Sequence, residues 1–161
     1  MVNFITFDKT NNEQNKIFYK LFKDYFIELF SNDTEVNMTD KEILEAFEYF
    51  KNGMVNELYW IYFCSLDNEI IGFVIAQIDT PEKDWCEKQG WGFIREFFIN
   101  LPYRKKGYAK LMCKFIEDIF IQNKANKAYI TSDDELWEKL GYKYLGEIDK
   151  ITKQKIFIKD I

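Results

Sequence analysis

The chain has 161 residues, a formal net charge of −5 and no histidine. This length suits a single domain, residues 1–161, with a sizeable core, and 16 Phe, 10 Tyr and 4 Trp supply apolar surface for it. The absence of histidine excludes Ser–His and Cys–His nucleophile pairs and zinc sites that contain histidine. The acidic balance argues against a general nucleic-acid surface and favours a cationic ligand.

The cysteines and the apolar segments indicate in which cellular compartment the protein is expected. Cys64, Cys86 and Cys113 are odd in number and widely spaced, which favours neither a disulfide framework nor a Cys-x-x-Cys metal site. No apolar run approaches the roughly 18 residues that span a membrane, and the pattern of a signal peptide is missing. We therefore expect a cytoplasmic protein with no metal, no membrane partner and no nucleic-acid partner.

The N-terminal third predicts one short strand and two helices. Residues 2–7 are the strand candidate. Residues 11–30 repeat pairs of apolar side chains every four positions, which predicts a helix with a broad aromatic core face. After a polar loop at 31–38, a capping-box pattern at 39–42 opens a second helix that runs to residue 50. Its predicted inward side chains are Ile43, Leu44, Phe47 and Phe50.

Two strand-like segments follow, at 58–66 and 69–79, and residues 67–68 join them in a predicted hairpin. Gly72 lies inside the second strand, where a glycine indicates either a bulge or a closely packed neighbour. A polar excursion at 80–90 then leads to the next strand.

In the centre of the chain, the spacing of the apolar residues changes from a strand pattern to a helix pattern at a basic turn. Residues 93–99 are aromatic and branched apolar side chains with two charges, which predicts a strand. From Gly107 the apolar side chains recur at intervals of three and four, which predicts an amphipathic helix over 108–122. Three cations at 104–106 lie between the two. The first N–H groups of the helix point out of such a turn and the helix dipole adds positive potential, so the turn predicts an anion site.

The C-terminal part completes the sheet. Residues 127–131 form a predicted strand, parallel to 93–99 if the helix between them makes the usual right-handed crossover. A second capping-box pattern opens a short helix over 132–141, and strands at 142–148 and 155–159 pair antiparallel. The order β-α-α-β-β-β-α-β-α-β-β predicts an α+β domain with a central mixed sheet of about seven strands and four helices.

Two motifs and this order resemble the GNAT superfamily of N-acetyltransferases. Arg104, Gly107 and Ala109 fill the pattern Arg/Gln-x-x-Gly-x-Gly/Ala, which in that family is the acyl-CoA pyrophosphate loop between a strand and a helix. Residues 136–142, Leu-Trp-Glu-Lys-Leu-Gly-Tyr, resemble the late Leu-Tyr-x-x-x-Gly-Phe/Tyr element, with Trp137 at the tyrosine position. The resemblance covers essentially the whole chain.

The resemblance implies an acetyl-CoA site where strands 93–99 and 127–131 part at their C-terminal ends. The pantetheine arm would pair with main-chain groups of residues 97–99, as a peptide adds to a strand edge. The diphosphate would lie on the N–H groups of 104–109, where a Cβ at position 107 would obstruct it. The implied cosubstrate contacts are Phe97, Phe98, Ile99, Arg104, Lys105, Lys106, Gly107, Tyr108, Ala109, Ser132 and Trp137.

The resemblance also implies direct transfer to an amine, which needs a base because a lysine-like amine of pKa about 10.4 is protonated at pH 7. Glu96, within the central strand, is the implied base or water-mediated relay. The alternative is a structural charge paired with Arg95 or a lysine. Strand alternation predicts that Glu96 shares a face with Ile94 and Phe98, opposite Arg95 and Phe97. Partial burial there should raise the pKa of Glu96.

A proton donor for the departing thiolate is harder to assign. The indole N–H of Trp137 donates hydrogen bonds but is no acid near neutrality. Tyr142, Tyr108 and Ser132 are candidate substitutes, and we assign the catalytic role to Tyr142. Departure without help also stays open, because a thiol of pKa about 8.5 is a tolerable leaving group.

Three functions follow from these patterns. The first is an acetyl-CoA-dependent N-acetyltransferase that acts, as monomer or homodimer, on a primary amine of a small molecule or peptide. The second is a noncatalytic acyl-CoA-binding or regulatory domain of the same fold, which Trp137 makes conceivable. The third is an unrelated α+β interaction module whose basic turn is only surface.

Overall fold

A computed structural model describes residues 1–31 and 37–161. The elements are β1 (Val2–Thr6), α1 (Asn12–Leu29), α2 (Asp40–Asn52), β2 (Tyr59–Leu66), β3 (Glu69–Ile78), β4 (Gly92–Ile99), α3 (Tyr108–Gln122), β5 (Lys127–Ser132), α4 (Leu136–Lys139), β6 (Lys143–Ile148) and β7 (Lys155–Asp160). The predicted α+β class and order are confirmed, with four α-helices and seven strands in these ranges. The loop predicted at 31–38 falls mainly on residues 32–36, outside the described ranges.

The strands form one mixed sheet of order β1-β2-β3-β4-β5-β7-β6. β4 and β5 pair parallel, whereas the other neighbouring strands pair antiparallel. α3 connects the parallel pair, as the sequence predicts. No helix in the described part of the chain combines the length and apolar character needed to cross a bilayer.

The sheet separates two apolar layers. On one face, which we call the α3 face, Met112 and Ile116 of α3 pack in a cluster with Ile94 of β4. On the other, which we call the α1 face, α1 and α2 pack a largely aromatic cluster. There Phe18 makes edge-on contacts with Phe47 and with Phe73 of β3, at centroid distances of 5.0 and 5.1 Å. The aromatic stripe of α1 is therefore a core face, as predicted.

The two predicted capping boxes have different outcomes. The first is confirmed, because the Thr39 main-chain N–H donates to the Glu42 carboxylate at 2.7 Å and the Glu42 N–H donates to the Thr39 hydroxyl at 3.3 Å. The second is wrong. Ser132 remains in β5, paired with Lys155 of β7, and the helix begins only at Leu136. Sheet pairing extends through the residue that was expected to cap the helix.

The packing of the structure decides two further predictions, the orientation of Leu44 and the role of Gly72. Leu44 was predicted to point inward, but it is 46% exposed, because the buried stripe of α2 follows residues 43, 47 and 50 and leaves position 44 to one side. Gly72 has both suggested features. The register of β2 against β3 shifts beside it, and a Cβ there would collide with the Phe98 carbonyl of β4.

Candidate active site

The parallel strands β4 and β5 separate soon after they begin. Their pairing consists of Gly92 with Ala128 and Phe93 with Tyr129, although β4 continues to Ile99 and β5 to Ser132. We call the space between residues 94–99 and 130–132 the β4–β5 opening. This divergence is the one that the family resemblance implies, and it leaves an unpaired main-chain edge of β4 facing the gap.

The hydrogen-bond pattern identifies the main-chain groups on that edge. The Asn100 N–H donates to the Ile71 carbonyl of β3 at 2.8 Å. Because main-chain groups alternate along a strand, Phe98 also directs its N–H and carbonyl towards β3. Phe97 and Ile99 direct theirs into the β4–β5 opening. Of the predicted main-chain contacts at 97–99, the geometry therefore suits Phe97 and Ile99, and Phe98 instead packs its ring on the α1 face.

The turn at 104–109 presents unpaired donors beside this edge. The Arg104 N–H donates to the Leu101 carbonyl and the Leu111 N–H to the Gly107 carbonyl, both at 3.2 Å. Within the described chain, no acceptor pairs with the N–H groups of residues 105–110 between them. Lys105 and Gly107 have positive φ values of 61° and 88°, which fold the turn tightly onto the start of α3. These N–H groups and the helix dipole form a site suited to an anion.

Glu96 lies at a β-bulge, which changes its predicted surroundings. The β3–β4 register shifts between Ile75 and Ala76, so that Ile75 pairs with Glu96 while Ala76 pairs with Ile94. Arg95 is the extra residue. The prediction that Glu96 shares a face with Ile94, opposite Arg95, is therefore wrong: Ile94 packs on the α3 face, and both charged side chains turn towards the α1 face. The shared face with Phe98 is confirmed.

The carboxylate of Glu96 is held by α1. Oε2 accepts a hydrogen bond from the Tyr25 hydroxyl, and within the described ranges Oε1 has no hydrogen-bond partner. The residue as a whole is half-buried. Burial raises the pKa of Glu96 to about 7, although the Tyr25 hydroxyl and the nearby Arg95 charge both act to lower that pKa. A carboxyl group with this pKa is suited to accept a proton near neutrality.

The structural arrangement can be compared with known proteins. The model of a family described as "Acetyltransferase (GNAT) family" matches residues 15–142. The chain belongs to this family. The match includes β4, the 104–109 turn, α3 and Trp137, and it removes the hypothesis of an unrelated interaction module.

Among curated proteins, this chain is similar to two acetyltransferases from Bacillus subtilis. One is the spermine/spermidine N(1)-acetyltransferase of strain 168, and the other is a probable spermine N(1)-acetyltransferase of subspecies natto. Each is 26% identical over 102 residues, which are 59% of this chain and 66% of the relative. The match thus spans slightly less than two thirds of the length of these relatives.

Solved structures share the fold at low sequence identity. The PaiA N-acetyltransferase of Thermoplasma acidophilum, in complex with coenzyme A, has a TM-score of 0.73 at 11% identity, covering 100% of this chain and 99% of that one. A GNAT acetyltransferase of Staphylococcus aureus has a TM-score of 0.72 at 10% identity, covering 99% of each chain. Aminoglycoside 6'-acetyltransferase type Ii has a TM-score of 0.69 at 17% identity, covering 98% and 96%.

Arg104 makes internal contacts in this GNAT chain. Its Nη1 and Nη2 donate to the two carboxylate oxygens of Glu28 on α1, at 2.6 and 2.7 Å, and its Nε donates to the Ile99 carbonyl at 2.7 Å. We call this the Arg104–Glu28 clasp. It joins α1 to the end of β4, where the 104–109 turn begins. The motif assigns the Arg104 side chain to phosphate binding. Its contacts instead hold it against α1 and the end of β4, where it can orient the 104–109 turn.

We expect Glu28→Gln and Arg104→Ala each to lower the Tm. Glu28→Gln removes the ionic part of the clasp, whereas Arg104→Ala removes all of its hydrogen bonds. The clasp is partly exposed, so the expected loss is about 1 kcal/mol, or about 2–4 °C in Tm. Arg104→Ala should also weaken acetyl-CoA binding mildly, and calorimetry of both variants at two salt concentrations measures this. If Arg104→Ala weakens binding strongly while Glu28→Gln does not, Arg104 leaves the clasp to bind phosphate directly.

The remaining predicted contacts lie on both sides of the turn. Tyr108 and Ala109 form the first turn of α3, and the Lys106 ammonium donates to the Pro102 carbonyl at 3.0 Å. Lys105 is exposed. Ser132 ends β5, and its hydroxyl accepts the Asp134 N–H at 3.0 Å. The side chains of Lys105 and Lys106 are thus near enough to the turn to contribute positive potential.

Trp137 and Tyr142 pack together on the α3 face. The indole of Trp137 is 3% exposed and makes edge-on contacts with Phe97 and Tyr142, at centroid distances of 5.2 and 5.4 Å. The Tyr142 hydroxyl points beneath α3 and accepts from the Cys113 thiol at 3.9 Å. Burial raises the pKa of Tyr142 well above its usual value. Tyr142 and Glu96 therefore lie on opposite faces of the sheet, and the proton-donor role of Tyr142 stays a prediction.

We expect Trp137→Phe to retain most of the turnover, because Trp137 contacts Phe97 through ring packing and is no acid. Trp137→Tyr should raise turnover, because it places a titratable hydroxyl beside Phe97, which borders the β4–β5 opening. Steady-state rates and Tm values of both variants measure this. A large loss of turnover in a stably folded Trp137→Phe would assign a direct role to the indole N–H.

Sequence reasoning missed the two α1 side chains that contact the site, Tyr25 and Glu28. Tyr25 belongs to the aromatic stripe and was read as core, although a hydroxyl inside such a stripe signals a buried hydrogen-bond partner. Within the described ranges, no cluster of three or more Cys, Asp or Glu side chains is arranged to hold a metal ion.

Proposed function

We propose that the protein is an acetyl-CoA-dependent N-acetyltransferase that transfers the acetyl group directly to a primary amine of a small molecule or peptide. The observation that carries the proposal is the divergence of β4 and β5. It brings an unpaired strand edge, a turn of free N–H groups and a carboxyl group with a pKa of about 7 to one part of the sheet.

The residues present fit acetyl-CoA. The N–H groups of residues 105–110 would donate hydrogen bonds to the diphosphate, and Lys105 and Lys106 would offset further phosphate charge. Main-chain groups of Phe97 and the N–H of Ile99 would pair with the amides of the pantetheine arm, since the Ile99 carbonyl already accepts from Arg104. Acetyl-CoA supplies the acetyl group as an activated thioester.

Glu96 would act as the base. Direct transfer requires an acceptor nitrogen with a free electron pair, so a protonated amine must first lose a proton. Oε1 of Glu96 is the carboxylate oxygen that Tyr25 does not contact, and it would accept this proton, directly or through a water molecule. No enzyme nucleophile is needed, which agrees with a chain that lacks histidine and whose Cys113 thiol is buried, with a pKa raised above its usual value.

Polyamines are the acceptor class to test first. The two curated Bacillus subtilis relatives carry spermine or spermidine acetyltransferase names, and the net charge of −5 favours a cationic substrate. An aminoglycoside is the next candidate, because a structural neighbour carries that activity in its name. Amino acids and peptides complete the panel, and monomer and homodimer both remain compatible with the proposal.

Release of free thiol from acetyl-CoA with this amine panel tests the proposal, with mass spectrometry of the acetylated amine. We expect thiol release to depend on the amine and to match product formed one for one. Binding of acetyl-CoA in calorimetry without thiol release for any amine would instead favour a noncatalytic acyl-CoA-binding or regulatory domain. Trp137 at the usual tyrosine position is the observation that keeps this second function under test.

A further inference from the structure

Tyr25 of α1 is a second residue of the proposed base site. Its hydroxyl donates to Oε2 of Glu96, 71 positions along the chain. Its ring is fixed by Phe73 of β3 and Phe98 of β4, each at a centroid distance of 5.7 Å. Phe73 and Phe98 are cross-strand neighbours, so the Tyr25 ring packs on both of them at once. This packing limits the movement of its hydroxyl, which therefore fixes the carboxylate it contacts.

We propose that Tyr25 is the positioning residue of the base: it holds Oε2 of Glu96, favours the charged form of the carboxylate and leaves Oε1 to take the proton of the acceptor amine. The inference rests on the proposed function and goes beyond it, since it assigns a role to a helix that carries none of the acetyl-CoA motifs. Tyr25 itself stays protonated, because burial raises its pKa well above the usual value.

The charged and titratable groups around the pair support this division of roles. Arg95 on β4 favours the charged carboxylate, but its guanidinium donates to the Tyr49 hydroxyl at 2.9 Å and to the side-chain amide oxygen of Gln77 at 3.1 Å. Tyr59 on β2 is buried, with its hydroxyl donating to the Phe50 carbonyl at 2.9 Å. In the described chain, the Tyr25 hydroxyl is the donor that contacts Glu96 itself.

α1 also connects the base to the turn that would bind the diphosphate. Glu28 follows Tyr25 by three positions, on the same side of the helix, and holds Arg104 in the Arg104–Glu28 clasp. One turn of α1 thus contacts both the β4 bulge and the entrance to α3. A shift of α1 would move the base and the turn together.

Tyr25→Phe tests the proposal, because it removes the hydroxyl and keeps the ring that packs on Phe73 and Phe98. Without the donor the charged carboxylate loses a hydrogen bond, so the midpoint of the Glu96 titration should rise by about one pH unit or more. NMR of protein labelled with 13C at glutamate carboxyl groups measures this midpoint without any turnover, with Glu96→Gln to assign the signal. The acid limb of the pH–rate profile should move up equally.

The controls separate this proposal from the proposed function. Tyr19→Phe removes a hydroxyl from the same helix, from a ring that packs on Phe47, and should change neither the midpoint nor the rate. Tyr25→Phe combined with Glu96→Gln should lose no more activity than Glu96→Gln alone. An unmoved midpoint in folded Tyr25→Phe, or additive losses in the double variant, overturns the positioning role. A moved midpoint in a protein that acetylates no amine retains the Tyr25–Glu96 contact and overturns the catalytic function instead.

Discussion

Glu96→Gln should lower kcat by about a hundred- to ten-thousandfold, the usual cost of removing a general base, and leave acetyl-CoA affinity nearly unchanged. Glutamine has almost the same shape, and its amide oxygen can still accept from Tyr25. Calorimetry and steady-state rates on the same preparation separate the two effects. The rate of the variant should recover as the pH rises, because alkali deprotonates the amine without help from the protein.

The pH dependence of the wild type gives a second measure of this role. A base must be deprotonated to act, and burial raises the pKa of Glu96 to about 7, so activity should fall as the pH decreases through about 7. Glu96→Gln should lack the inflection near pH 7 and show only the rise in rate that follows deprotonation of the amine. A matched control is Glu45→Gln, which removes an exposed carboxylate from α2 and should retain the wild-type profile.

Stability distinguishes a base from a structural charge at the same position. A carboxyl group whose folded pKa is raised binds a proton more tightly when folded, so its ionisation costs stability as the pH rises from the unfolded value towards about 7. Glu96→Gln removes this cost and should melt at least as high as the wild type at pH 8. A variant that melts lower and keeps its turnover would make Glu96 a structural charge and move the base elsewhere.

Gly107→Glu should abolish acetyl-CoA binding, with a loss of affinity of about a hundredfold or more. Several N–H groups at the head of α3 would each lose a charge-assisted hydrogen bond to phosphate, of about 1.5–3 kcal/mol, and the new carboxylate would repel the diphosphate. A Cβ at Gly107 meets no other atom within 4 Å. The side chain therefore enters the space of the ligand without disturbing the core, and calorimetry measures the result.

Gly146→Glu is the matched control for backbone strain. Gly107 and Gly146 have φ values of 88° and 92°, and a Cβ at either position meets no atom within 4 Å. Both variants should lose the stability that a side chain costs at positive φ, about 1–2 kcal/mol, but only Gly107→Glu should lose binding. Unchanged affinity in a folded Gly107→Glu would remove the 104–109 turn from the cosubstrate site.

The sequence was informative wherever a local pattern determines the geometry. The period change at Gly107 predicted the start of α3, and Thr39 with Glu42 predicted the start of α2, because these signals act within one helical turn. Ser132 carried the same kind of signal and was misread, since pairing with β7 kept it in the sheet. A capping pattern involves only residues within one helical turn, so it carries no information about pairing with a later strand.

The surroundings of Glu96 could not be predicted from the local sequence either, because they depend on contacts with residues distant in the chain. The bulge that turns Arg95 and Glu96 to one face depends on the register against β3. No glycine lies at the bulge itself to signal it in the sequence. The Tyr25 contact and the Arg104–Glu28 clasp join residues 71 and 76 positions apart. The sequence shows Glu96 as the carboxylate within the central strand, and the family resemblance implies its role as the base, which stays a prediction.

Amide hydrogen exchange with and without acetyl-CoA tests the central claim most directly, namely that the β4–β5 opening and the 104–109 turn form the cosubstrate site. We predict that bound acetyl-CoA slows exchange at residues 105–110 and at Phe97 and Ile99, whose N–H groups are free in the described chain, and has little effect on β1 and β6. Binding that leaves exchange at residues 105–110 unchanged, or that protects a different part of the sheet, would contradict the account.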